Sequence, residues 1–160
     1  MVLPHMLFEA LKTMHLFGVV LLVGNVTITA FWKVFADRTG HPAVIAFGQR
    51  LVTITDFVFT AGGIVLVYIG GVGAALVQGL HPFAPGWLLW GQILFLSSGA
   101  IWAAILVPAQ IRMARAARAF ADGGPIPDSY WRDNRRWLFW GVVACVPLFV
   151  AIAVMVFKPQ

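Results

Sequence analysis

Charged residues are scarce in this sequence. Only 11% of its 160 residues are charged, whereas 61% are hydrophobic. Soluble domains carry roughly 25% charged and about 45–50% apolar residues, so this composition excludes a water-soluble fold. A chain of this length has room for about four membrane-spanning helices of about 20 residues each and their connections, but not for a separate soluble domain.

Motifs of hydrolytic and nucleotide-dependent enzymes are also missing. The sequence has no glycine loop of the kind that cradles phosphates, no zinc-ligand spacing, no Ser/His/Asp arrangement and no pair of carboxylates inside a span. Its single cysteine, Cys145, cannot form an intrachain disulfide and lies in an apolar run, which is typical of a small core residue. Any activity would therefore be the redox chemistry of a cofactor, and whether the chain is an enzyme stays open.

Long uncharged runs are what the sequence does contain. They predict four transmembrane helices at about residues 13–32, 51–78, 87–111 and 137–157, within a single domain that covers residues 1–160. Gly40 can end the first helix and Pro42 can begin the second, while the prolines and glycines of residues 79–87 predict a tight hairpin. The predicted fold class is all-α, a four-helix transmembrane bundle in up-down-up-down order.

The basic residues lie mostly at one end of this bundle. Only Lys12 and Lys158 belong to the end with both termini, and the others flank the spans at the opposite end: Lys33, Arg38, Arg50, Arg112, Arg115, Arg118, Arg132, Arg135 and Arg136. The positive-inside rule then places both termini outside, in a multi-pass protein of the bacterial inner membrane. We expect the arginines of residues 112–118 to contact anionic lipids at the inner face. Nucleic acid is not an expected partner, because no aromatic stacking platform accompanies them.

His15 lies inside the first predicted span, three residues after Lys12. At 1.5 Å per residue it is about 5 Å below the outer boundary, at the same depth as Met155 of the last span. The same side also holds His5, Met6, Met14 and His81. Clustered imidazoles and thioethers bind Cu(I), and an imidazole facing a glycine-lined cleft can be an axial ligand of haem iron. The alternative is structural, because methionine fills core gaps and an interfacial histidine can hydrogen-bond a carbonyl or water.

A second group of polar residues is predicted deeper in the bundle. Small and polar residues of the first span recur at helical spacing, which predicts that they face the interior: His15, Gly18, Leu22, Asn25 and Thr29. Asp56 of the second span has the depth of Asn25 and Thr29, and Trp102 of the third span is a candidate to line an interior cavity. An aspartate in a span costs ~2.5–3.5 kcal/mol unless it is paired, solvated or protonated. Arg50 and Arg136 are its candidate partners, and a proton- or ligand-handling role is the alternative.

Several stretches carry a resemblance to known proteins. LKTMH, ADRTG, DFVFT, SGAIWAAILVPAQ, RRW and VFKP, in this order, resemble a family of small bacterial predicted integral membrane proteins of unknown function, over nearly the whole chain. The start LKTMHLFG is also similar to the first helix of the copper-resistance D proteins and of the HemJ-type protoporphyrinogen oxidases. In the latter a histidine at the place of His15 is thought to bind haem b, so this resemblance implies a haem- or copper-type site. The third span lacks the lysine of the HemJ-type pattern, so no reaction follows.

Three hypotheses about function result. The first is binding of haem b and a part in membrane redox chemistry, with His15, Met155 and His81 as candidate ligands. The second is copper binding or transfer at the outer face, through His15, Met14 and Met155. The third is a non-catalytic membrane scaffold or assembly protein. Beside the lipid bilayer, the expected partners are a second copy of the chain, in a homo-oligomer, or a redox partner protein.

The orientation can be tested by chemical labelling. We predict that a cysteine introduced at Gly79 reacts with a membrane-impermeant thiol reagent added to intact cells and that one at Gly123 does not, because the basic residues flank residue 123 and not residue 79. The measurement is the labelling of each variant before and after lysis. Labelling at Gly123 in intact cells would reverse the predicted orientation.

Overall fold

Four long helices make up the structure, a computed structural model that describes residues 2–84 and 86–159. They are α1 (Val2–Arg38), α2 (Pro42–Val77), α3 (Trp87–Phe120) and α4 (Asp128–Phe157). All four are long and apolar enough to cross a membrane, and the described residues contain no strand. The predicted all-α fold with four membrane-spanning helices is therefore confirmed.

The ends of α1 and α2 follow the local sequence signals. Pro42 is the first residue of α2, a position whose backbone N–H makes no hydrogen bond within the helix, so the lack of an N–H in proline costs nothing there. Gly40 has a φ of +65°, which glycine adopts without a steric penalty, and α1 ends just before it at Arg38. These two residues therefore separate α1 from α2 as predicted. The charged ends of the helices remain helical, so each helix is longer than its predicted span.

The helices pack as two antiparallel pairs, α1 with α2 and α3 with α4. In the first pair, glycines bring the two backbones together: a Cβ atom built on Gly18 would lie 2.6 Å from the backbone nitrogen of Val67, and one on Gly70 would lie 2.6 Å from that of His15. In the second pair, Ser98 donates a hydrogen bond of 2.8 Å to the carbonyl of Ala144. Small residues allow such close contact between helices in a membrane, where hydrophobic burial gives no preference for protein over lipid.

A buried polar cluster joins α1 to α4 at the end that carries most of the basic residues. The Lys33 ammonium lies 2.5 and 2.6 Å from the two carboxylate oxygens of Asp37 and donates a further hydrogen bond of 2.9 Å to the Tyr130 hydroxyl. Asn134 donates a hydrogen bond of 2.9 Å to the same carboxylate. An apolar cluster that includes Phe120 packs beside Tyr130. This end of the bundle is therefore closed by both polar and apolar contacts.

Lys33 corrects one prediction. The sequence assigns it to the basic flank after the first span, whereas its side chain is completely buried. The reason is that α1 continues to Arg38, so the inward stripe that includes Thr29 continues one turn further to position 33. Lys33 is thus part of the bundle interior and contributes to the stability of this end.

Replacement of Lys33 tests the cluster. Lys33→Met should lower the free energy of unfolding by about 3 kcal/mol, because it leaves the mostly buried Asp37 without its cation. The matched control is Lys12→Met on the same helix, whose pair with Glu9 is about half exposed on both sides and should contribute at most about 1 kcal/mol. Thermal unfolding in detergent, followed by circular dichroism, compares the two. Equal losses in both variants would contradict a stabilising role for the buried cluster.

Candidate functional site

A cavity of about 360 Å³ lies inside the bundle, and all four helices line it. Most of its wall is apolar, with Val26 of α1, Ile64 of α2, Phe95 of α3 and Leu148 of α4 as examples. The volume falls within the range of about 300–1,000 Å³ that is usual for small-molecule sites. The cavity is thus large enough for the ring system of a small ligand.

The cavity reaches the lipid-facing surface between α1 and α4. Thr27 of α1 and Val142 and Phe149 of α4 line the cavity and are also exposed on the outside of the bundle. A molecule dissolved in the bilayer could therefore enter sideways, without passing through water.

Polar groups meet at one part of the bundle interior, and all of them except Asn25 line the cavity. The Trp102 indole N–H donates a hydrogen bond of 2.8 Å to the Asp56 carboxylate, which joins α3 to α2. Asn25 donates one of 3.0 Å to the Thr60 hydroxyl, which joins α1 to α2, and Thr29 donates one to the carbonyl of Asn25. These residues are buried apart from the half-buried Trp102. The predicted polar interior residues Asn25, Thr29, Asp56 and Trp102 thus lie together in the bundle.

The partner of Asp56 differs from the prediction. Arg50 and Arg136 are exposed, and no ion pair between either of them and Asp56 occurs within residues 2–84 and 86–159. The expected ion pair is therefore wrong. The carboxylate instead has an uncharged donor, Trp102, because both side chains point inward at the same depth, where the arginine side chains do not reach.

Both residues of this hydrogen bond begin a π-helical turn. Residues Asp56–Thr60 of α2 and Trp102–Leu106 of α3 are π-helical, with one extra residue in the turn. An extra residue rotates the following part of a helix by about 100° relative to an unbroken α-helix, so the turn changes which side chains face the interior. Such turns are frequent at functional sites. Here two of them lie on either side of one polar contact in a cavity wall.

Trp137 provides an unpartnered hydrogen-bond donor. The residue lines the cavity, and its indole nitrogen is buried and has no hydrogen-bond partner among the described residues. A buried donor without a partner is costly, by about 1–3 kcal/mol. The nitrogen is enclosed by protein atoms, so an acceptor on a ligand in the cavity would reach it only after a shift of the Trp137 ring. Gly99 and Gly141 also line the cavity, and a Cβ atom on either would meet nothing within 4 Å. Their missing side chains leave part of the space open.

The predicted metal or cofactor ligands lie outside this cavity wall, and His15 and Met155 contact different helices. His15 donates a hydrogen bond of 2.8 Å from Nδ1 to the carbonyl of Val67, and its ring packs against Gly71 of α2. Met155 packs against Gly91 of α3. His81 lies exposed in the turn after α2, where its Nδ1 accepts a hydrogen bond of 3.2 Å from the backbone of Phe83. The contacts of these three side chains thus belong to different parts of the bundle.

The remaining candidates lie on the N-terminal half of α1. Met14 is half-buried, and His5 and Met6 are exposed on the first turns of α1. Within the described residues, no three His, Cys, Asp or Glu side chains are grouped so that they could hold a metal ion.

A family of predicted integral membrane proteins, DUF2269, matches residues 9–159. The chain belongs to this family. The match contains most of α1 and all of the other helices, hence every residue that lines the cavity, and it confirms the family resemblance seen in the sequence. No curated protein and no solved structure matches the chain.

Sequence reasoning missed the part of the cavity wall that α4 supplies. Trp137 stands at the start of an apolar run, where a tryptophan also suits the membrane interface, so nothing local marks it as a cavity residue. The available signal was spacing: Trp137, Gly141 and Leu148 share one helical face, and a glycine between two large residues leaves a gap in it. Which helix faces that gap depends on the tertiary structure.

The contact between Asp56 and Trp102 can be measured as a coupling. In the wild-type background, Asp56→Ala leaves the Trp102 N–H unpaired. In a Trp102→Phe background no donor is left, so the same substitution should cost at least about 1 kcal/mol less stability there. Asp56→Asn keeps an acceptor and should retain most of the stability. Thermal unfolding of the four members of the double-mutant cycle gives the coupling, and a value near zero would show that the hydrogen bond contributes nothing.

Proposed function

We propose that this integral membrane protein binds a lipid-soluble molecule in its central cavity, and that the ligand combines an apolar ring with a hydrogen-bond acceptor. The observation that carries the proposal is a cavity with aromatic side chains in an apolar wall that opens to the lipid between α1 and α4. The distribution of basic residues favours the bacterial inner membrane as the location.

The wall favours a quinone ring among molecules of this kind. The aromatic side chains Phe95, Trp102 and Trp137 can pack against a flat ring, and a shift of the Trp137 ring on binding would bring its N–H to a ring carbonyl. The opening between α1 and α4 would let an isoprenoid tail remain in the bilayer. A quinone also agrees with the expectation of membrane redox chemistry, although the proposal concerns binding and not a reaction.

A cavity-filling substitution tests whether the space is used. The protein is purified in mild detergent, its lipid-soluble molecules are extracted, and quinones are quantified by mass spectrometry. Gly141→Leu should retain roughly tenfold less quinone than the wild type, which corresponds to about 1.4 kcal/mol of binding free energy, because its side chain occupies the open space. Gly24→Leu is the matched control, since Gly24 is exposed on α1 and also has nothing within 4 Å.

The outcome separates this proposal from its alternatives. Equal quinone contents in the wild type and Gly141→Leu would contradict binding in the cavity. A wild-type protein that retains only phospholipid would contradict the choice of a quinone.

Removal of the unpartnered donor tests the recognition. Trp137→Phe should weaken the binding of a short-chain ubiquinone by about fivefold, since a neutral hydrogen bond contributes about 1 kcal/mol. Trp140→Phe is the control, because Trp140 is on the same helix but does not line the cavity. Ligand-induced shifts of the melting temperature, measured across a ubiquinone titration, give the relative affinities. Equal weakening in both variants would contradict a specific role for Trp137.

A second candidate function is binding of haem b with His15 as an axial ligand. The supporting observation is the hydrogen bond from Nδ1 to the Val67 carbonyl, because a carbonyl only accepts and the proton must therefore be on Nδ1. The lone pair of Nε2 is then available for iron, the arrangement that commonly orients a metal-bound histidine. Haem b would supply one-electron redox chemistry when bound. The cavity wall does not include His15, so the two ligands would occupy separate sites.

Absorption spectroscopy tests the haem proposal. A Soret band that shifts on reduction, and that His15→Ala removes while the helical content is unchanged, would support it. Met155→Ala should alter that spectrum only if its thioether is the second ligand. Protein from haem- and copper-replete cells that carries neither cofactor would overturn the haem proposal and the copper hypothesis. The quinone and scaffold hypotheses would then remain.

A further inference from the structure

A second groove lies on the surface between α2 and α3, at the end of the bundle that carries most of the basic residues. Its volume is about 640 Å³, and it does not share a residue with the central cavity. Alanines from both helices line it, together with Phe47 and Ile54, whose side chains are exposed. Each helix also contributes one arginine, Arg50 from α2 and Arg118 from α3.

The two arginines have no carboxylate partner. Both are exposed, and neither takes part in an ion pair or a side-chain hydrogen bond within residues 2–84 and 86–159. Arg112 is different, because it makes hydrogen bonds of 2.6 and 2.9 Å to Asp133. The groove therefore presents two guanidinium groups whose donors are free.

The register of the helices fixes the depths of the two arginines. Gln110 of α3 donates a hydrogen bond of 3.1 Å to the carbonyl of Val52 of α2, which sets the two helices side by side at that level. From this point, at 1.5 Å per residue, the Cα of Arg118 lies about 9 Å nearer the end of the bundle than that of Arg50. Helical side chains lean towards the N-terminus of their helix, so Arg50 extends towards the end of the bundle and Arg118 away from it, and one phosphate between them is within reach of both.

We propose that this groove binds one anionic phospholipid, with the phosphate between Arg50 and Arg118 and the start of an acyl chain beside Ala114 and Ile54. The guanidinium group offers donors in a planar fork that matches phosphate oxygens. Along α2 the lining continues beyond Arg50 for four residues, about 6 Å, to Ile54, so the groove holds the first carbons of the chain and the rest lies in the bilayer. The two charges and the apolar end of the groove thus suit one lipid of the adjacent leaflet.

The charges argue against a second copy of the chain as the occupant. A twofold interface through this groove would place Arg50 and Arg118 against the same residues of the partner, so four positive charges would meet without a counterion. A lipid phosphate supplies the negative charge that such an interface lacks.

Native mass spectrometry tests the lipid site. The probes are phosphatidylglycerol and phosphatidylcholine with identical acyl chains, each added to protein stripped of lipid in mild detergent. The wild type should retain one phosphatidylglycerol and should prefer it to phosphatidylcholine, whereas the double variant Arg50→Gln/Arg118→Gln should bind phosphatidylglycerol at least about tenfold more weakly. The control Arg132→Gln/Arg135→Gln removes two exposed arginines of α4 and should bind like the wild type.

Three results would overturn the proposal. The first is equal weakening of phosphatidylglycerol binding in the two double variants. The second is equal binding of phosphatidylglycerol and phosphatidylcholine by the wild type. The third is a melting-temperature increase with inorganic phosphate alone that equals the increase with phosphatidylglycerol. A dimer that only the groove variant disrupts, without a change in lipid binding, would assign the groove to a second copy. Because all four replaced arginines are exposed, circular dichroism should show the same helical content in both variants, and the comparison then concerns binding alone.

Discussion

The hydrogen bond from Trp102 to Asp56 connects the two helix pairs at the depth of the central cavity. In a bilayer there is no water to solvate a buried carboxylate, so the protein itself must supply its partner. An indole N–H is a suitable partner because its ring belongs to the apolar wall while its nitrogen satisfies the carboxylate. The contact closes the cavity between α2 and α3, and the opposite side, between α1 and α4, remains open to lipid at Thr27 and Val142.

The end of the bundle beyond this contact is where α1 and α4 meet. Lys33 and Asp37 of α1 bind Tyr130 and Asn134 of α4, and the apolar cluster around Phe120 packs against them. A buried cation with three hydrogen bonds, two to Asp37 and one to Tyr130, holds the two helices at this level, while the cavity separates them further along. The contacts between α1 and α4 and the open space between these two helices therefore lie at different depths, which allows a ligand to be bound without loss of the α1–α4 contacts.

Glycine has two separate uses in this chain. At Gly18 and Gly70 the backbone of the neighbouring helix occupies the space that a side chain would need, so a side chain there would push α1 and α2 apart. Gly99 and Gly141 face open space in the cavity wall, so a side chain there would fill the cavity and leave the helix contacts unchanged. The first kind supports packing and the second kind supports binding, and sequence alone does not distinguish them.

The sequence by itself determined the number of helices, their approximate ends and the inward face of α1. These features depend on local properties: hydropathy, the Gly40 and Pro42 signals, and the stripe that contains Asn25 and Thr29. The summed hydropathy of about 20 consecutive residues decides whether a segment is a membrane helix. Only the tertiary structure decided that Lys33 is buried against Tyr130, that Asp56 bonds Trp102 and not an arginine, and that His15 and Met155 contact different helices. Each of these depends on which helix faces meet, and the π-helical turns at Asp56 and Trp102 rotate those faces in a way that regular helical spacing does not reveal.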